Sequence, residues 1–182
     1  YDDNLPKFSE FYSFLSVQKN GFEATLQHRV CEESKIIQII AYCLMPTHIH
    51  LVLEQKRDEG ISTSVGNILN AYARYFNVKH KRQGPLWVGR FKGIHVSSDE
   101  QMLHLTRYVH LNPVSAGIEN SAASWNFSSF HEYTSPESKR YPMCDFRKYV
   151  TLSPTEYKRF VNDHASSQRD LAIIKHLVND EL

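Results

Sequence analysis

This 182-residue chain has few cysteines, almost no net charge and no long apolar run. Three cysteines (Cys31, Cys43 and Cys144) are scattered and odd in number. They supply neither a disulfide framework nor a zinc spacing, which suits a reducing cytoplasm. The longest apolar stretches fall far short of a membrane span, and no segment reads as a signal peptide. Internal repeats and low-complexity tracts are absent. The net charge of +1 is weak for a nucleic-acid binder. What remains is a chain of ordinary apolar and charged content, long enough for one sizeable core or one domain with an appendage. It begins at Tyr1 rather than Met, which reads as a trimmed or fragmentary start.

The charge is small in sum but uneven in distribution. From Ala71 to Ser98 there are six basic residues (Arg74, Lys79, Lys81, Arg82, Arg90, Lys92) and no Asp or Glu. Tyr72, Tyr75, Phe76, Trp87 and Phe91 lie among them. Basic residues interleaved with aromatics suit a phosphate backbone with unstacked bases. A solvated basic helix end is the simpler alternative.

Several elements follow from spacing. Asp2 to Asn4 can cap a helix starting near Pro6, with Phe8, Phe11, Tyr12 and Leu15 on one face. A second short helix is expected over Phe22 to Val30. Lys35 to Leu44 is Ile-rich and reads as a buried strand. Met45-Pro46-Thr47 breaks it, and His48 to Glu54 resumes as an antiparallel strand. Ser62, Thr63 or Ser64 caps a long helix reaching about Lys81. Phe91 to Val96 resembles a further strand. Ser98 with Gln101 gives a capping-box pattern, opening a helix from Asp99 to about Leu111 that Pro113 should end. Ser153-Pro154-Thr155-Glu156 opens another helix to about Asp163, and a last one spans about Gln168 to Val178. A composition change near 118–125 divides the chain into a core, 1–120, and a mostly helical C-terminal extension, 121–182.

The chemistry concentrates in Tyr42 to Leu53. Alternate strand residues share a face, so His48 and His50 point the same way and Ile49 points to the other layer. Two imidazoles on one face can hold one metal ion; two half-buried structural histidines would read identically. On the Asp99 helix, His104, Tyr108 and Asn112 recur every fourth residue and share a side. Met102, Leu105 and Val109 form a separate apolar stripe. Tyr108 offers a phenol that becomes a nucleophile beside a metal or base. Asn112 offers a neutral oxygen, suited to a hard divalent ion. Alternatively, Tyr108 is a packing residue and Asn112 a helix stop.

Three separated motifs resemble one family in the correct order. His48-Ile49-His50 within Tyr42–Leu53, then Trp87-Val88-Gly89-Arg90-Phe91-Lys92, then Arg107-Tyr108-Val109-His110-Leu111-Asn112-Pro113 through Gly117, resemble the single-tyrosine HUH transposases. Their REP-associated branch is the most similar, and Ser124 to Phe130 is similar to its continuation. Thr47 departs from the Asn found in many members. The resemblance implies an α+β fold, an antiparallel sheet with packed helices in a ferredoxin-like core, whose first strand would precede Pro6. It implies Tyr108 as nucleophile, with His48, His50 and Asn112 as ligands of Mg²⁺ or Mn²⁺. The partner would be single-stranded or hairpin DNA, cleaved and rejoined through a 5′-phosphotyrosine by a monomer or homodimer. Arg74, Lys79, Lys81, Arg82, Trp87, Arg90, Lys92 and Arg107 are candidate DNA contacts. No membrane is involved, and the expected location is the prokaryotic cytoplasm, at the nucleoid. Two rivals remain: a phosphoesterase that activates water between the histidines, and a non-catalytic, domesticated hairpin binder.

Overall fold

Residues 35–135 and 142–164 of the computed structural model are described here. The helices expected near Pro6, over Phe22–Val30 and over Gln168–Val178 lie outside them.

The Ile-rich segment forms strand β1 (Ile37–Leu44), paired antiparallel with β2 (Ile49–Gln55). Pro46 stands in the connection, where no ladder hydrogen bond is needed, and the Met45 N–H closes the turn on the His48 carbonyl at 2.9 Å. Opposite residues include Cys43 with His50 and Leu44 with Ile49. The register shifts between Ile39 and Ala41, so Ile40 is an extra residue on β1. A bulge breaks the alternation of faces, which is why the consecutive residues Ile40 and Ala41 are both buried. The free edge of β1 is covered by later chain: Leu44 N–H bonds to the Phe127 carbonyl at 2.8 Å, Ser129 N–H to Tyr42 at 3.0 Å, and Asp145 N–H to Ile39 at 2.9 Å. Such covering removes the unpaired edge that invites aggregation.

Helix α1 spans Gly60–Lys79 and α2 spans Asp99–Ser115. Short α3 (Phe130–Thr134) and α4 (Pro154–Asn162) follow a single turn of 3₁₀ helix at Ala122–Ser124. The result is an α+β arrangement with a two-stranded antiparallel sheet among the described residues. One apolar cluster joins β1 (Ile40, Cys43), α2 (Val109, Leu111, Val114) and the later segments (Phe130, Phe146, Val150, Val161). Chain on either side of residue 120 therefore shares a core.

Several boundaries differ from expectation. Helix α1 starts at Gly60, before the serines, with no side-chain cap. A tight approach fixes its start: a Cβ on Gly60 would collide with the Ile36 carbonyl oxygen. Phe91–Val96 is not a strand; among the described residues nothing pairs with it, and Phe91 and Ile94 are exposed. Helix α2 does not stop before Pro113 but continues to Ser115. Proline removes one helical hydrogen bond, and the burial of Leu111, Pro113 and Val114 compensates. The chain turns away just beyond the Ala116 cap at Gly117, whose φ of +66° suits glycine. At its start the Ser98 side chain accepts from Gln101 N–H as expected, but the Gln101 amide oxygen turns to Ser97. The capping box at Ser153 and Glu156 is complete.

Candidate active site

The β1–β2 turn delivers the two histidines. Thr47 Oγ1 lies 3.1 Å from His48 Nδ1, which leaves the other ring nitrogen facing His50. The two Nε2 atoms are 3.0 Å apart, and the rings meet edge to face. Metal–nitrogen bonds of about 2.1 Å meeting at a right angle separate their nitrogens by about 3.0 Å. The pair thus has the spacing of neighbouring ligands on one ion. His48 is exposed and His50 half-buried. Burial, and then the charge of His48, lower the His50 pKa against the opposing contact with Asn112. A lowered pKa favours the neutral imidazole, the form that binds metal.

Helix α2 supplies the other half. The Tyr108 and His50 ring centroids are 6.0 Å apart at 85°. Tyr108 is 45 % exposed, so its ring is open to a ligand. Asn112 is buried, inside the helix rather than at a frayed end. Its side-chain nitrogen donates to the Tyr108 carbonyl at 2.9 Å. That bond engages the amide nitrogen and leaves the amide oxygen as the atom that can accept from His50, the contact that favours protonated His50. Among the described residues no group of three His, Cys, Asp or Glu side chains could hold a metal. His48, His50 and Asn112 instead offer two nitrogens and one amide oxygen, all neutral, so a divalent cation held there would keep its charge for a phosphate. Cys43, opposite His50 in the ladder, is no competitor. Burial, partly opposed by the nearby Trp125 indole, pushes its thiol up to about 11, and a neutral thiol is a poor ligand.

A buried chain of polar groups seats α2, and sequence reasoning missed it. Thr106 donates to the Leu103 carbonyl at 2.8 Å and accepts from the Tyr157 hydroxyl at 3.0 Å. Tyr157 oxygen is 2.8 Å from His110 Nδ1, and Ser129 Oγ is 2.7 Å from His110 Nε2. Ser129 Oγ also accepts the Tyr42 N–H at 2.9 Å. Every donor has an acceptor if His110 is neutral with its proton on Nδ1. The imidazole is fully buried, and burial followed by the charge of His131 pushes its pKa down to about 3. The network ties α2 to β1 and α4, two residues from each of Tyr108 and Asn112. Its available signal was Thr106 and His110, four apart on a helix of mostly apolar contacts.

The basic candidates divide. Arg74, Lys79, Lys81, Arg82, Arg90 and Lys92 are all exposed. Arg82 also braces the loop after α1 through Asn77 and the Pro85 carbonyl. Trp87 is half-buried, donating its indole N–H to the Leu69 carbonyl at 3.0 Å. Arg107 is half-buried too, held by His104 at 2.9 Å and lying 4.4 Å over the Phe160 ring.

Comparison with known proteins gives two matches. The sequence profile of the family described as "Transposase IS200 like" matches residues 17–112, ending on Asn112. A Haemophilus influenzae protein named as a REP-associated tyrosine transposase is 26 % identical over 129 residues, covering 65 % of this chain and 72 % of that protein. No solved structure matches the chain.

Proposed function

The chain belongs to the IS200-like transposase family, and from that premise we propose that it cleaves and rejoins single-stranded, hairpin-associated DNA through a covalent bond to Tyr108. The observation that carries this reading is the meeting of the His48–His50 pair, Asn112 and Tyr108 at one place on two elements far apart in sequence. The ferredoxin-like core and the REP-associated branch belong to the same reading, supported by the likeness to the Haemophilus influenzae protein.

Tyr108 oxygen attacks the scissile phosphorus and loses its proton, while the 3′ oxygen of the preceding nucleotide leaves and gains one. The product is a 5′-phosphotyrosine and a free 3′ hydroxyl. The bond to Tyr108 conserves the energy of the broken phosphodiester, so rejoining is the reverse attack and needs no nucleotide cofactor. A Mg²⁺ or Mn²⁺ ion bound by His48, His50 and Asn112 would polarise the phosphate and stabilise its developing charge. Asn112 and Tyr108 move as one unit because the amide grips the tyrosine's own carbonyl. Exposure of Tyr108 on the outer face suits attack on an unpaired strand that can bend into the site. Among the described residues no helix is long and apolar enough to cross a membrane.

Incubation with end-labelled hairpin oligonucleotides and Mn²⁺, followed by a denaturing gel, tests the reading. A covalent protein–DNA band is expected, and Tyr108→Phe should remove it. Cleavage without an adduct, unaffected by Tyr108→Phe, would instead establish water as the nucleophile. Tight hairpin binding with neither adduct nor cleavage would establish a non-catalytic binder.

A further inference from the structure

Helix α1 exposes an aromatic face that the active site does not use. Of its twenty residues only Gly60 and Val65 are buried. Ile68, Tyr72, Tyr75 and Lys79 follow at steps of four, three and four, which places them on one side of the helix. Ile68, Tyr72 and Tyr75 are about half exposed. Two phenols beside each other in water gain little for folding, so their value lies in what they contact outside the chain.

The face is built rather than incidental. The Tyr72 and Tyr75 ring centroids are 6.3 Å apart. Behind Tyr72, the Trp87 indole lies at 5.8 Å, fixed by its bond to the Leu69 carbonyl. At the other end Lys79 Nζ bonds to the Tyr75 hydroxyl at 3.0 Å and sits 5.3 Å from the ring centre. Trp87 therefore serves as a support for Tyr72 rather than as the stacking surface. The electrostatics select the occupant: α1 holds no Asp or Glu, and none occurs from Ala71 to Ser98, where six Lys or Arg do. A protein surface rarely matches such a one-signed field, whereas an unpaired nucleic-acid strand supplies both phosphates and exposed base faces.

We propose that Tyr72 and Tyr75 form a stacking platform for unpaired bases of a DNA strand, with Lys79 holding an adjacent phosphate. The choice of DNA rests on the proposed function; the platform itself does not depend on cleavage. Stacking requires the ring and not the hydroxyl, and tolerates any base.

The test uses the full chain carrying Tyr108→Phe, in EDTA, so that binding is read without chemistry. The probes are a fluorescent oligo-dT and a duplex of equal length. Tyr72→Ala and Tyr75→Ala should each weaken oligo-dT binding about 5- to 100-fold, with much smaller effects on duplex. Tyr72→Phe should bind as the parent does. Lys79→Gln should lower the salt slope of log affinity by about one. Equal losses on both probes, or alanine variants that bind oligo-dT like the parent with unchanged thermal melting, would overturn the platform. So would a sedimentation mass that falls by half in Tyr72→Ala without loss of DNA binding, which would mark the face as a contact between copies. Adduct formation on hairpin DNA is read separately with Tyr108 present, so failure there leaves the platform standing, and loss of the platform leaves the adduct reading standing.

Discussion

Asn112 donates its side-chain amide to the backbone carbonyl of Tyr108 at 2.9 Å. This is the carbonyl that an ordinary helix pairs with the backbone N–H of residue 112, so the side chain adds a second donor in the turn just before Pro113. It also engages the amide nitrogen, leaving the amide oxygen as the acceptor for His50 or a metal ion. Asn112→Ala should lower the rate of Mn²⁺-dependent adduct formation on the order of 10- to 100-fold. Loss of the one hydrogen bond should cost only about 1 kcal/mol of stability. Adduct rate against Mn²⁺ concentration, beside a thermal melt, separates the two. Equal adduct rates at every Mn²⁺ concentration would remove Asn112 from the site.

The histidine pair gives a second expectation. His48→Ala and His50→Ala should each abolish Mn²⁺ binding in titration calorimetry while leaving the far-ultraviolet spectrum intact, since neither ring belongs to the buried core. Chelation of the parent protein should stop adduct formation reversibly, with Mn²⁺ restoring it. Undiminished Mn²⁺ binding by both variants would move the metal elsewhere.

His110 makes the fold acid-sensitive. Its pKa is pushed down to about 3 in the native protein, and returns to about 6.5 in the unfolded chain. Between those values the unfolded chain binds a proton that the native protein refuses. Stability from this group is therefore fully present above pH ~6.5 and is lost progressively as pH falls toward 3. By pH 4.5 the loss should be about 2–3 kcal/mol. Urea melts at pH 7 and 4.5 measure it. His110→Gln should be less stable at pH 7 yet show a shallower decline; parallel declines would assign acid unfolding to other groups.

Tyr157→Phe cuts the same network at its far end. It removes the hydroxyl between His110 and Thr106, both fully buried. Orphaned buried groups cost about 1–3 kcal/mol. A urea midpoint shift of that size is expected, and none would mean that water replaces the hydroxyl.

Gly60→Ala tests how α1 is anchored. The added methyl would meet the Ile36 carbonyl oxygen, which already accepts the Lys56 and Arg57 N–H groups. Backbone must move, at a cost of about 1–3 kcal/mol. The control is Gly66→Ala, whose methyl meets nothing within 4 Å and should stabilise the helix. Equal melting of the two variants would show that the α1 start is not set by this contact.

Much of this was legible in the residues themselves. Local rules decide local features: alternation put His48 and His50 on one face, helical spacing put Tyr108 above Asn112, and Ser153 with Glu156 spelled a capping box that forms. Order along the chain gave the family. Features that depend on a partner were not legible. Phe91–Val96 has strand composition but lacks a neighbour to pair with among the described residues, and composition cannot supply one. Pro113 sits inside α2 because Leu111, Pro113 and Val114 are buried around it, an energy of packing rather than of sequence. Trp87 could either stack on a base or pack under its loop, and the Leu69 carbonyl that takes its N–H decides for packing. Nothing local marks His110; Tyr157 and Ser129, distant in sequence, make it a buried link. The sequence by itself determined which side chains could do chemistry and which face each would share. The tertiary structure decided which of them meet, because contacts between distant residues depend on how helices and strands pack, and no local period encodes that.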